Sequence, residues 1–371
     1  MKDKTIHCRD LIILVISLIL IGCPAFASDN GQGIIRLLPT GPNLSPSGDK
    51  IAFDLIWEKN DKVGAEIGVL FLKNDEIRIV TKSVEGSVNE YSTWSEDSRR
   101  ILFRSSKEDG VRLTSINLET LKEEVLVFLE YDENYENKTH IEIPYLYPIW
   151  FPLSGKAVFV KQIFDGDTTL CSAYVFDLKE KKDREIAKGI SGSITFRCTW
   201  SVSHDGNYVF YTKKTDKYND IWLSSSHKDH NGEQRLTKGY DVKYLRASPV
   251  KNEILFVSKG NDINLWTLHR LDITTGKDNK LLEGNNEYLS FPSWSQDGTL
   301  IVFVNDKNAI NLLDVNKEKI TAELEIDMEP ITFPLLLGNK RIVFYHNYSS
   351  LWSVDTAGKN LKKIFPITAV Q

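Results

Sequence analysis

The chain is 371 residues long, with 46 Lys plus Arg against 51 Asp plus Glu and a formal net charge of −5. Its basic residues are scattered, which excludes the concentrated positive stripe that nucleic-acid binding requires. Two or three ordinary domains would fit this length, so the number of folding units has to come from pattern along the chain.

Residues 1–27 read as a targeting segment. Lys2, Lys4 and Arg9 outweigh Asp3 and Asp10, and residues 11–21 form an apolar run broken only by Ser17. Such a run suits a secretory signal and is too short to span a bilayer. Two processing readings stand. Ala25-Phe26-Ala27 is a small-x-small site ahead of Ser28, which leaves residues 28–371 as a soluble mature chain. Leu20-Ile21-Gly22-Cys23 resembles a bacterial lipobox, which would remove residues 1–22 and acylate Cys23. Pro24 is an awkward neighbour for a lipobox cysteine, so the soluble form is preferred. Both readings export the protein to the periplasm or cell exterior, and only the second anchors it, as an outer-membrane lipoprotein.

One short phrase then returns along the rest of the chain. It reads Ser45-Pro46-Ser47-Gly48-Asp49-Lys50-Ile51-Ala52-Phe53, and again from Trp94-Ser95-Glu96-Asp97 to Phe103 and from Trp150-Phe151-Pro152 to Phe159. Trp200-Ser201-Val202-Ser203-His204-Asp205-Gly206 opens a fourth copy, with one extra residue, that closes at Phe210. Ser248-Pro249 to Phe256, Trp294-Ser295-Gln296-Asp297-Gly298 to Phe303, and Gly338-Asn339 to Phe344 complete the set. The closing phenylalanines recur every 41 to 56 residues.

Each phrase reads as strand, tight turn, strand. Pro presets φ, Asp caps the backbone and Gly accepts positive φ at the turn, while Ile-x-Phe or Val-x-Phe alternates as a half-buried strand does. Third strands such as Leu265-Trp266-Thr267-Leu268 and Leu351-Trp352-Ser353-Val354 follow, and a short fourth strand closes each unit. Four antiparallel strands cannot bury both faces alone, so the units must stack around an axis. The fold is therefore expected to be all-β: a single β-propeller over residues 28–371 with seven four-stranded blades. Six or eight blades also fit if the segment from Ile34 to Leu38 serves as a ring-closing strand of the last blade. Most tryptophans and phenylalanines then fill the space between blades.

These phrases resemble the TolB-type propeller repeat, and the resemblance covers nearly all of the mature chain. It implies the propeller and an envelope setting. TolB carries an α/β domain ahead of its propeller, whereas here the first repeat opens at Ser45, so its full role is not implied. Related propellers precede the hydrolase domain of prolyl-oligopeptidase-like peptidases, but that chemistry needs a G-x-S-x-G elbow. Gly189-Ile190-Ser191-Gly192-Ser193 fails at its last position, so peptidase activity is not expected.

Chemistry is sparse. His227-Lys228-Asp229-His230 is the one close histidine pair and reads as a solvated turn, short of the ligands that a metal site needs. Asp97, Asp205 and Asp297 occupy equivalent turns, where capping explains them better than calcium does. Cys171 and Cys198 would pair in an oxidising compartment or serve as small core residues; their spacing excludes a CxxC zinc site. No catalytic, metal or cofactor-binding residues are therefore assigned.

Tyrosine is different. Tyr91, Tyr131, Tyr135, Tyr145, Tyr147, Tyr240, Tyr244 and Tyr288 all fall between repeats, and the longest interruption, from Glu130 to Tyr147, adds Asp132, Glu133 and Glu136. Tyrosines beside acids suit a protein interface, although several of these rings would instead finish inner strands. The expected function is a non-catalytic scaffold binding an envelope protein or peptide through Tyr131, Glu133, Tyr135, Tyr240 and Tyr288. The alternative is a carbohydrate-active enzyme or sugar-binding module with its site at the axis.

Overall fold

The computed structural model describes residues 34–37, 41–59, 62–83, 87–130, 140–151, 155–165, 168–191, 199–227, 232–260, 265–284 and 291–365. The targeting segment with Cys23 lies outside them, as do Tyr131, Glu133, Tyr135, Tyr288 and Cys198. Among the described residues the regular elements are all strands, and no helix is long and apolar enough to cross a membrane.

Antiparallel pairing sorts these strands into seven consecutive meanders. Three sheets are single four-stranded meanders, while the nine- and eight-stranded sheets are each two meanders joined by one parallel bridge, Ala65 to Val88 and Asn219 to Asp241. The inner strands are Ile34–Leu37 with Asn43–Leu44, then Val88–Trp94, His140–Trp150, Trp200–Val202, Asp241–Ala247, Ser293–Trp294 and Ile331–Leu337. Residues 34–37 pair with Lys50–Lys59 of the first blade, Ile35 opposite Trp57. The ring-closing alternative is thereby corrected. The last blade draws all four strands, from Ile331–Leu337 to Lys362–Phe365, out of its own sequence, which leaves no vacancy for an N-terminal strand.

The first and last blades meet through a main-chain hydrogen bond, from Leu37 N to the Tyr348 carbonyl at 2.8 Å, and through side-chain packing. The buried apolar residues fall into clusters that bridge neighbouring blades, and one unites Leu37, Ile51 and Phe53 of the first with Phe333, Val343 and Tyr345 of the seventh. Asp75 of the first blade also holds Arg341 and Lys362 of the last, both at 2.9 Å. The repeat phenylalanines, from Phe53 to Phe344, are all 0% exposed. Gly68 lies opposite Phe53 across the strand pair, where a Cβ would sit 2.5 Å from the ring, so the ring occupies the space glycine leaves.

The fourth repeat needs a correction. Ser203, not Ser201, is its turn serine: Ser203 N bonds the Tyr208 carbonyl at 2.9 Å, as Ser95 N bonds that of Arg100. Val202 thus stands where Trp94 stands, and the copy has no extra residue. Tyr211, rather than Phe210, packs back on the preceding blade, while Phe210 faces the fifth. The Tyr211 hydroxyl donates to Glu233 Oε1 at 2.8 Å, and Lys213 reaches Glu233 Oε2 at 2.6 Å. Burial, with Glu233 beside it, pushes the Tyr211 pKa well up.

The turns work as their residue types require. Asp97, Asp205 and Asp297 accept from the turn serines Ser95, Ser203 and Ser295 at 2.7, 2.5 and 2.6 Å, and from the amides of Arg99, Asn207 and Thr299 at 3.0, 3.0 and 3.1 Å. A second capping series closes the turns between third and fourth strands, as where Asp272 Oδ1 accepts from Thr274 N and Thr275 N at 2.8 and 3.0 Å.

Candidate binding site at the propeller axis

The inner strands enclose a cavity of about 670 Å³ to which every blade contributes. Three positions matter along the inner strands, in order: one filled by Tyr91, Tyr147, Tyr244, Phe291 and Phe333, one three residues later that is tryptophan at 94, 150 and 294, and the residue after the turn serine. They form the floor, wall and rim of the cavity.

Tyr244, Phe291 and Phe333 form the floor. Phe291 and Phe333 lie 3.9 Å apart by ring centroid, and Tyr244 meets Phe291 edge-on at 6.2 Å. Tyr91 and Tyr147, 4.3 Å apart, occupy the matching positions of the second and third blades. Tyr91, Tyr147, Phe291 and Phe333 have φ of 60, 49, 67 and 51°. This left-handed backbone is uncommon for bulky residues. At Tyr91, Tyr147 and Phe333 it arises at bulges in the inner strands, where pairing skips between Glu90 and Thr93, Leu146 and Ile149, and Thr332 and Leu335. The bulge of the second blade is capped by buried Asp54 of the first, which accepts from Tyr91 N at 2.7 Å and Ser92 N at 3.2 Å. Beside it, Glu90 pairs with Arg104, yet burial, reinforced by Asp54, wins over Arg104 and raises the Glu90 pKa. The inter-blade tyrosines Tyr91, Tyr147 and Tyr244 are thus buried packing residues.

Trp94, Trp150 and Trp294 belong to the wall. Trp94 Nε1 donates to the Asn43 carbonyl at 2.9 Å and Trp294 Nε1 to the Arg246 carbonyl at 3.3 Å, each tying its blade to the preceding one. Trp150 Nε1 is buried with no hydrogen-bond partner among the described residues, and so is Nδ1 of His204 at the rim.

The rim comprises Pro46, Glu96, His204, Pro249 and Gln296, each the residue after a turn serine. Gln296 Nε2 donates to the Pro46 carbonyl, reaching past the seventh blade. From sequence alone the second turn position receives no role. The signal was present: Ser, Asp and Gly recur around a slot that changes from Pro to Glu, His and Gln. Arg246 is the other ionisable lining residue, and its guanidinium lies 4.9 Å over the Tyr244 ring.

The remaining chemistry-bearing side chains sit elsewhere. Tyr240, the described member of the expected interface set, is half-buried; its hydroxyl donates to Asp278 Oδ2 at 2.7 Å, and burial together with that carboxylate pushes its pKa up to about 12. Asp278 also meets His269 Nδ1 at 3.1 Å, and His269 Nε2 meets Ser258 Oγ at 2.9 Å. This Ser-His-Asp connectivity was not foreseen. His269 is 1% exposed, stacked on Phe256 at 4.4 Å and covered edge-on by Tyr240, so the series ties three strands of one blade and has no room for a substrate. His227 bonds Asn207 Oδ1 at 2.8 Å, while Lys228, Asp229 and His230 lie outside the described residues. Cys171 is a free thiol whose pKa burial raises.

No family model and no curated protein matches the chain. Among solved structures it is similar to an oligogalacturonate lyase in complex with manganese, at 13% identity and TM-score 0.65, over 87% of this chain and 90% of that one. The β-propeller domain of the Trilobed protease from Pyrococcus furiosus, described as having an open velcro topology, is similar at 14% identity and TM-score 0.59, over 91% and 99%. TolB from Acinetobacter baumannii scores 0.49 at 16% identity, over 82% and 65%. At these identities the likeness is one of fold: the chain is an all-β propeller. Among the described residues no three of His, Cys, Asp and Glu come together, and those lining the axial cavity include Glu96 and His204 of these types.

Proposed function

We propose that the chain is an exported, non-catalytic binding propeller of the bacterial envelope whose axial cavity receives an extended segment of a partner protein. The observation that carries this reading is the make-up of the cavity. Its aromatic floor and wall combine with a sparse charged lining, which among the described residues comprises Glu96, His204 and Arg246. An extended segment lays its apolar side chains on the rings while its backbone meets the polar groups of the rim. The volume falls within the usual range of binding cavities. Tyr131, Glu133, Tyr135, Tyr240 and Tyr288 remain part of the proposal, as contacts on the face of the inter-blade loops.

The test is capture from a native envelope extract by the immobilised protein. Capture should be lost after protease treatment of the extract and be reduced at least tenfold by Trp150→Ala or His204→Ala. Capture that survives protease but not periodate would instead support a sugar ligand and defeat the protein reading.

A further inference from the structure

The fourth strand of a propeller blade is its outer edge, with one side of its backbone unpaired. Such edges are ordinarily kept short or charged, because an exposed apolar edge recruits other strands. Most edges here follow that rule: the third blade ends in Lys182–Lys188, reading Lys-Asp-Arg-Glu-Ile-Ala-Lys, and the fourth in Glu233–Arg235. The second blade does not. Its edge, Glu123–Glu130, reads Glu-Glu-Val-Leu-Val-Phe-Leu-Glu and is eight residues long. Among the described residues it pairs with Gly110–Asn117 alone, on its inner side. Val125, Phe128 and Leu129 are 48, 44 and 39% exposed, so apolar side chains emerge on both faces of the strand.

We propose that this edge is a second interaction surface, which takes an extended apolar segment of another protein, with Lys or Arg at its ends, as an added β-strand. Unpaired main-chain groups supply hydrogen bonds and the exposed side chains supply contact area, as in other strand-addition complexes. Charge selects the occupant. The apolar run is bracketed by Glu123 and Glu124 on one side and Glu130 on the other, all exposed. Arg100 holds Glu124 at 2.9 Å, and Arg112 covers one face of Phe128 at 4.4 Å, which leaves Glu123 and Glu130 to meet a basic partner. A second copy pairing antiparallel about the strand centre would set Glu123 against Glu130 at both ends, a like-charge contact that disfavours self-association. This surface lies at the outer edge of the ring and does not depend on the axial cavity.

The probes are two fluorescent eight-residue peptides of alternating Val and Thr, one ended by lysines and the other by glutamates. Fluorescence anisotropy should show at least tenfold tighter binding of the lysine-ended peptide. Glu123→Lys with Glu130→Lys should reverse the preference, and Val125→Lys with Leu129→Lys should abolish binding; circular dichroism confirms that each variant is folded. Absence of binding, equal binding of both peptides, or binding that survives Val125→Lys with Leu129→Lys would overturn the proposal. So would a concentration-dependent dimer that the same pair of substitutions dissolves, because the occupant would then be a second copy.

Discussion

The two ends of the axial cavity are built from the same seven inner strands yet do opposite things. At the floor, aromatic side chains from successive blades touch one another, and the polar groups beneath them are paired, as where Asp54 takes the amides of the Tyr91 bulge. At the rim, Glu96 and Gln296 are exposed, and Gln296 reaches from the sixth blade to the Pro46 carbonyl of the first. The contrast teaches that stability and recognition are separated along a few residues of each strand. The floor closes the ring, and the rim is where sequence can vary without unfolding it.

Breaking the floor should have the largest effect. Phe333→Ala removes a buried ring that touches Phe291 and Tyr345 and should lower stability by about 3–5 kcal/mol, read by urea unfolding. Asp54→Ala leaves two buried amides without their acceptor and should cost about 1–3 kcal/mol; an unchanged urea midpoint would show that the bulge holds without its cap.

Acid sharpens the comparison from the turn side. The Ser95 hydroxyl and the Arg99 amide hold Asp97 below its ordinary pKa, as Ser295 and the Thr299 amide hold Asp297. A depressed folded pKa contributes stability that is present above the unfolded value, about 3.9, and is lost as pH falls through the folded one. Thermal stability should therefore be insensitive to these groups from neutral pH to about pH 5 and decline below about pH 4. Asp97→Asn with Asp297→Asn should shrink that decline; an identical pH profile would remove the turn carboxylates from the account.

The smallest effect on stability belongs to the rim. Glu96→Gln and Gln296→Ala should shift it by no more than about 0.5 kcal/mol while weakening partner capture. A large loss of stability would show that the rim is structural.

Much of the fold was legible because propeller geometry repeats. Turn chemistry and Ile-x-Phe alternation recur with the blade, and the buried phenylalanines follow directly from that period. The misreading of the fourth repeat has a local cause. Trp200-Ser201 imitates the Trp-Ser pair of other copies, while hydrogen bonding places the turn two residues later, at Ser203. The bulges were not legible, since Tyr and Phe at positive φ carry no local sequence signature. Nor was the series of Ser258, His269 and Asp278, which exists only because cross-strand register brings together residues eleven and nine apart. The rim was legible in principle: it is the variable slot inside the repeat, whereas attention to the interruptions between repeats pointed away from it.

Site-specific photocrosslinking in the native envelope tests the central claim most directly. A benzophenone amino acid placed at Gln296 or Glu96 on the rim should crosslink a partner protein, and one placed at Asp272, in a turn between the third and fourth strands of the fifth blade, should not. Crosslinks from Asp272 with none from the rim would contradict a binding site at the propeller axis.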